Sequence, residues 1–184
     1  MEDLPKNARI GTSSVRRSRQ LQWLRPDLQI EDWRGNVPTR LRKLAERDDV
    51  AGIVLAQAGL DRLGYDFADG KFTVISLHDH LLPAIGQGAI ALQSRADRPE
   101  VNAILAAINH APTFTCIRAE REVQRLLAGD CALPVGVRTA LAGDALEMQA
   151  ILFGPEKTAP AQAAATGPAS APELVARELF ARLQ

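Results

Sequence analysis

The chain has 184 residues, an apolar fraction of 46 %, only 4 % aromatics, and 22 basic against 22 acidic side chains. A formal net charge of zero gives no support to general attraction for nucleic acid or a membrane surface, and no apolar run is long enough to span a bilayer. Two cysteines, Cys116 and Cys131, make no disulfide framework in a chain of this size, so a reducing cytoplasm is the expected home.

The first elements repeat one design. Ala8, Arg9 and Ile10 predict a short strand, and Gly11-Thr12-Ser13-Ser14 turns it into a helix that Ser13 or Ser14 can cap and Pro26 stops. Arg16 and Arg17 fall in its first turn, where cations oppose the helix dipole, so an anion is expected to dock there. Residues 28–33 alternate as a second strand. Arg34-Gly35-Asn36-Val37 then turns the chain, and Pro38 opens a helix carrying Arg40. The apolar run 52–56 predicts a strand buried on both faces, leading through Gln57-Ala58-Gly59 to a short helix with Arg62. Three strand-to-helix junctions thus carry Arg16 and Arg17, Arg34 and Arg40, and Arg62. In an open α/β sheet such junctions line the carboxyl edge, where ligands bind. Five guanidinium groups there predict a ligand with several carboxylates or phosphates, which arginine matches bidentately.

Residues 71–77 predict a further strand, ending in His78-Asp79-His80; no other His or Cys has ligand spacing, so a polar turn is expected and no metal site. Gly86-Gln87-Gly88 lacks the third glycine of a dinucleotide fingerprint and leads into a predicted apolar strand at 89–92. Residues 98–110 predict a helix broken by Pro112, and Thr113 or Thr115 can cap the next, in which Cys116 is expected to fill core space. Cys131 follows on a turn between Gly129 and Pro134, presented between a helix and a strand. Residues 135–141 and 146–153 predict a hairpin, 161–166 a weak edge strand, and 173–183 a terminal amphipathic helix.

Taken together, Gly11-Thr12-Ser13-Ser14-Val15-Arg16-Arg17, Arg34-Gly35-Asn36-Val37-Pro38-Thr39-Arg40, Leu55-Ala56-Gln57-Ala58-Gly59-Leu60-Asp61-Arg62-Leu63, Leu82-Pro83-Ala84-Ile85-Gly86-Gln87-Gly88-Ala89 and the loop 129–136 resemble the porphobilinogen deaminase (hydroxymethylbilane synthase) family, in order and over nearly the whole chain. The resemblance implies an α/β domain with a periplasmic-binding-protein-like sheet (1–88), a strand and helix that return to another domain (89–106), and a small α+β domain with a three-stranded antiparallel sheet (107–184). It implies a dipyrromethane cofactor attached through a thioether at Cys131. It assigns Thr12, Ser14, Arg16, Arg17, Arg34, Arg40 and Arg62 to the carboxylates of cofactor and growing chain. The reaction implied belongs to tetrapyrrole biosynthesis: four porphobilinogen units condense stepwise, each losing ammonia. Asp130 stands where the family has glycine.

The family's catalytic aspartate lies in an N-terminal domain that this chain does not match, so no residue here is assigned a catalytic role. The expectation is a fragment or one half of a split enzyme, with little activity alone and a separate N-terminal chain as its partner. Porphobilinogen and the growing oligopyrrole would be the other partners, with no nucleic acid and no membrane. A second expectation, from the arginine junctions alone, is a non-catalytic anion-binding α/β module.

Overall fold

The computed structural model describes residues 1, 4–127, 134–155 and 158–184, and the chain divides into two compact units, 1–81 and 82–184. In the first unit, β1 (Arg9–Gly11) leads to α1 (Val15–Leu24), β2 (Gln29–Glu31) to α2 (Val37–Ala45), and β3 (Gly52–Ile53) to α3 (Gln57–Arg62). The strands form one parallel sheet in the order β2-β1-β3, with Gly11 opposite Glu31 on one side and Ile53 on the other. After β2 the chain crosses over β1 to lay down β3, so the carboxyl end of β1 is the point where the strand order reverses.

Ala8, Ile10, Leu21, Leu28 and Val54 form the buried core of this unit, each fully buried Val, Leu or Ile side chain being worth about 1.5–3 kcal/mol. Arg47 ties the far side together. It pairs with Glu31 and Asp49 at 2.7 Å each, Asp49 also pairs with Arg9, and the guanidinium carbon lies 5.6 Å from the centre of the Trp33 ring.

In the second unit, α4 (Pro99–Ala107) and α5 (Ala111–Leu126) precede β4 (Val135–Ala142), β5 (Ala145–Leu152), β6 (Ala161–Pro168) and α6 (Pro172–Leu183). The strands form an antiparallel meander, β4-β5-β6. The β4–β5 turn is two residues long, and Gly143 supplies the positive φ of 61° that such a turn needs. Alternation along β5 sends Leu146, Met148 and Ala150 into a core shared with Val123 of α5 and with Val175, Leu179 and Leu183 of α6. α6 lies close over β6 because Gly167 has no side chain: a Cβ there would stand 2.8 Å from Val175 Cγ2. Cys116 packs partly buried against this core, as expected, and burial pushes its thiol pKa up.

Three expectations need correcting. Residues 71–77 and 89–92 are irregular backbone with no ladder partner among the described residues, and Val74, Ile75, Ile90 and Leu92 are exposed. An apolar pattern makes a strand only where a neighbouring edge accepts its hydrogen bonds. The helix around Cys116 also begins earlier than the threonines suggest. His110 is its N-cap, with Nδ1 accepting from the Thr113 amide, and Pro112 sits in the first turn, where its missing N–H costs nothing.

Candidate functional site: an arginine-lined sheet edge

The carboxyl edge of the first sheet is built from three turns. After β1 the chain enters Thr12, which is buried and whose amide donates to Glu31 O at 2.9 Å. Thr12 Oγ1 accepts from the Ser14 amide at 3.2 Å, and Ser14 is the N-cap of α1, its hydroxyl accepting from the Arg17 amide. These bonds fix the start of α1, and with it the two arginines of its first turn.

Arg17 leans over the switch point. Its Nη1 donates to the carbonyl of Val54, just beyond β3, at 3.1 Å. Burial, then the charge of Arg40, holds its guanidinium below the usual pKa. Arg16 is lowered to about 10, by burial first and by Arg17 second. Both remain charged at neutral pH. The dominant influences on this pair are thus lost solvation and neighbouring cations, an arrangement that an anion relieves.

The second turn delivers Arg40. Gly35, with φ of 127°, makes the bend, and Asn36 Oδ1 caps α2 by accepting from the Thr39 amide at 2.9 Å. Arg40 Nε donates to Gly35 O at 2.7 Å, while its own carbonyl accepts from the indole N–H of buried Trp33 at 3.3 Å. Trp33 in turn stacks beside Gly11 so closely that a Cβ on the glycine would fall 2.7 Å from Cδ2 of the ring.

Thr12, Ser14, Arg16, Arg17 and Arg40 are therefore brought together. Arg34 lies at the rim, strongly exposed and paired with Asp32 at 2.8 Å. Arg62 is exposed at the last position of α3 and carries none of the hydrogen bonds or ion pairs that tie Arg17, Arg34 and Arg40 into the edge. Cys131 and Asp130 lie outside the described residues.

Sequence reasoning passed over Asp32 and Trp33. Asp32 accepts from the Ser13 hydroxyl and from Arg34, which hold its pKa below the usual carboxylate range. The available signal was an acid two residues before Arg34 at a strand end. Among the described residues, no group of three or more His, Cys, Asp or Glu side chains could hold a metal ion, and no helix is long and apolar enough to cross a membrane.

A parallel sheet whose switch point carries the partly buried Arg16 and Arg17, followed by a small unit with a three-stranded antiparallel sheet, defines an α/β region joined in sequence to an α+β domain. Two family models match the chain: the porphobilinogen deaminase dipyrromethane cofactor binding domain over residues 1–103, and the porphobilinogen deaminase C-terminal domain over residues 114–183. The chain belongs to the porphobilinogen deaminase family. It is 43 % identical over 181 residues to the porphobilinogen deaminase of Moorella thermoacetica, covering 98 % of this chain and 56 % of that protein. To those of Desulforudis audaxviator and Limosilactobacillus reuteri it is 42 % and 36 % identical, over 100 % and 98 % of this chain and 58 % and 60 % of theirs. The chain thus spans little more than half the length of these relatives.

Proposed function

We propose that this chain supplies the carboxylate-holding and cofactor-anchoring parts of a hydroxymethylbilane synthase, an enzyme of tetrapyrrole biosynthesis that condenses four porphobilinogen units. The observation that carries the reading is the Arg16–Arg17–Arg40 cluster at the switch point, where burial first and a neighbouring arginine second lower the pKa values of Arg16 and Arg17. A dipyrromethane fits such a cluster, because each of its acetate and propionate groups matches a guanidinium fork.

Bound dipyrromethane supplies the pyrrole primer to which further units are joined with loss of ammonia. The protein's own part is positioning. Arg16, Arg17 and Arg40 hold carboxylates, the first two from partly desolvated surroundings where a charge-assisted bond is stronger than in water. Thr12 and Ser14 fix the turn that aims Arg16 and Arg17, Arg34 and Arg62 extend the positive field, and Cys131 tethers the primer by a thioether. Holding both reacting carbons in place removes much of the entropic barrier of a bimolecular step. No residue of this chain is assigned to proton transfer.

The finer architecture belongs to the same reading. The first sheet is a periplasmic-binding-protein-like one in a domain 1–88, residues 107–184 form the anchoring domain, and 89–106 joins a further N-terminal domain, borne on this polypeptide or on a separate chain. Exposed Ile90, Leu92, Ile104 and Ile108 are the surface such a domain would cover. The cytoplasm is the compartment proposed.

Intact-protein mass spectrometry of the chain from cells supplied with porphobilinogen tests the anchor. An adduct of dipyrromethane mass that disappears in Cys131→Ser supports the reading. A folded chain carrying only an unmodified thiol would leave a carboxylate-binding module without a cofactor.

A further inference from the structure

We infer that Asp32 is a specificity-determining residue of the arginine edge: its carboxylate occupies Arg34 as an internal competitor, which a ligand carboxylate has to displace. The inference rests on the reading of this edge as a carboxylate clamp.

Asp32 follows directly on β2, one step beyond the Gly11–Glu31 rung, so it stands beside Thr12 at the carboxyl end of the sheet. The Ser13 hydroxyl donates to it from the first turn, and Arg34 Nε donates to Oδ2 from the second at 2.8 Å. The charge of Arg40 also acts on it. The carboxylate is thus held where the two arginine-bearing turns meet, and it is the same chemical group that the clamp is proposed to bind.

The pair is not needed to build either turn. Asn36 caps α2, Arg40 Nε holds Gly35 O, and Lys43 Nζ holds the Arg34 carbonyl at 3.1 Å. Both partners are well exposed, at 58 % for Asp32 and 81 % for Arg34, so the ion pair is weak enough for an incoming anion to exchange with.

The consequence is selective. Arg34 joins the inner cluster of Arg16, Arg17 and Arg40 only when a further carboxylate replaces Asp32. A compact anion such as inorganic phosphate gains only the inner group. A ligand bearing three or more spread carboxylates gains the rim as well, and the repulsive element discriminates between them.

The test is a double-mutant cycle by calorimetric titration of the chain with tricarballylate. Asp32→Asn keeps an acceptor for Ser13 and removes the charge. It is expected to bind about two- to five-fold tighter than the unaltered chain, the range that exposed ion pairs support. In the Arg34→Ala background the same substitution should give no gain, since the fork it frees is gone. Unchanged or weaker binding by Asp32→Asn would overturn the inference. So would a gain that persists without Arg34, which would mark a diffuse field effect. If neither the unaltered chain nor Asp32→Asn binds tricarballylate, the clamp reading itself fails and takes this inference with it.

Discussion

Gly11→Ala is the sharpest perturbation of the sheet edge. The added methyl would sit 2.7 Å and 2.8 Å from Cδ2 and Cγ of Trp33 and 2.9 Å from Ile53 Cγ2, well inside the 3.5–4.0 Å at which carbon atoms attract. Neither neighbour is a flexible tip. Trp33 is held by Arg47 over its ring and by its bond to Arg40 O, and Ile53 lies in β3. Overpacking of this kind costs about 1–3 kcal/mol. A loss near 2 kcal/mol lowers the melting temperature of a unit this size by roughly 10 °C. Gly52→Ala is the internal control, because its Cβ would meet only Ile10 Cδ1 at an ordinary 3.9 Å. Melts followed by tryptophan emission should show Gly11→Ala destabilised and red-shifted as Trp33 leaves its buried seat, with Gly52→Ala close to the unaltered chain. If the two variants melt together, the close approach of Trp33 to Gly11 is not what organises this edge.

Two further outcomes can be checked independently. Arg17→Lys keeps the charge and loses the planar fork along with the bond to Val54 O, so tricarballylate affinity should fall roughly ten-fold, about 1.4 kcal/mol; unchanged affinity would remove Arg17 from the clamp. Glu120 is buried on α5, accepts from the Gly86 amide at 2.6 Å, and has its carboxyl pKa raised by burial. A raised folded-state pKa means that its stabilising share is fully present below the ordinary glutamate value of 4.5 and is lost as pH rises through the folded value. Glu120→Gln should therefore compare better with the unaltered chain at pH 7 than at pH 4, and a constant difference across that range would contradict the burial argument.

Much of this was legible in the residues because local chemistry agreed with the tertiary answer. Gly11, Ser14, Gly35 and Asn36 are turn and cap residues doing locally what the parallel sheet requires, so the junctions and their arginines could be placed from spacing alone. The Gly143–Asp144 hairpin and the stripe of α6 were equally plain. What escaped were facts of partnership. Residues 71–77 and 89–92 carry strand-like patterns, but no edge of either sheet pairs with them. Arg34 and Arg62 share a motif style with Arg17 and Arg40, yet burial separates them, and burial is a property of the assembled sheet. Asp32 was invisible as a competitor because its significance lies in the Ser13 turn across the strand, nineteen positions earlier in the chain.

Titrating the chain with a synthetic dipyrromethane bearing acetate and propionate groups asks directly whether the Arg16–Arg17–Arg40 cluster holds the carboxylates of a pyrrole primer. Binding should be saturable, weaken steeply with salt and fall at least ten-fold in the Arg16→Ala/Arg17→Ala variant, whose fold is verified by circular dichroism. Equal affinity in the two proteins would contradict it.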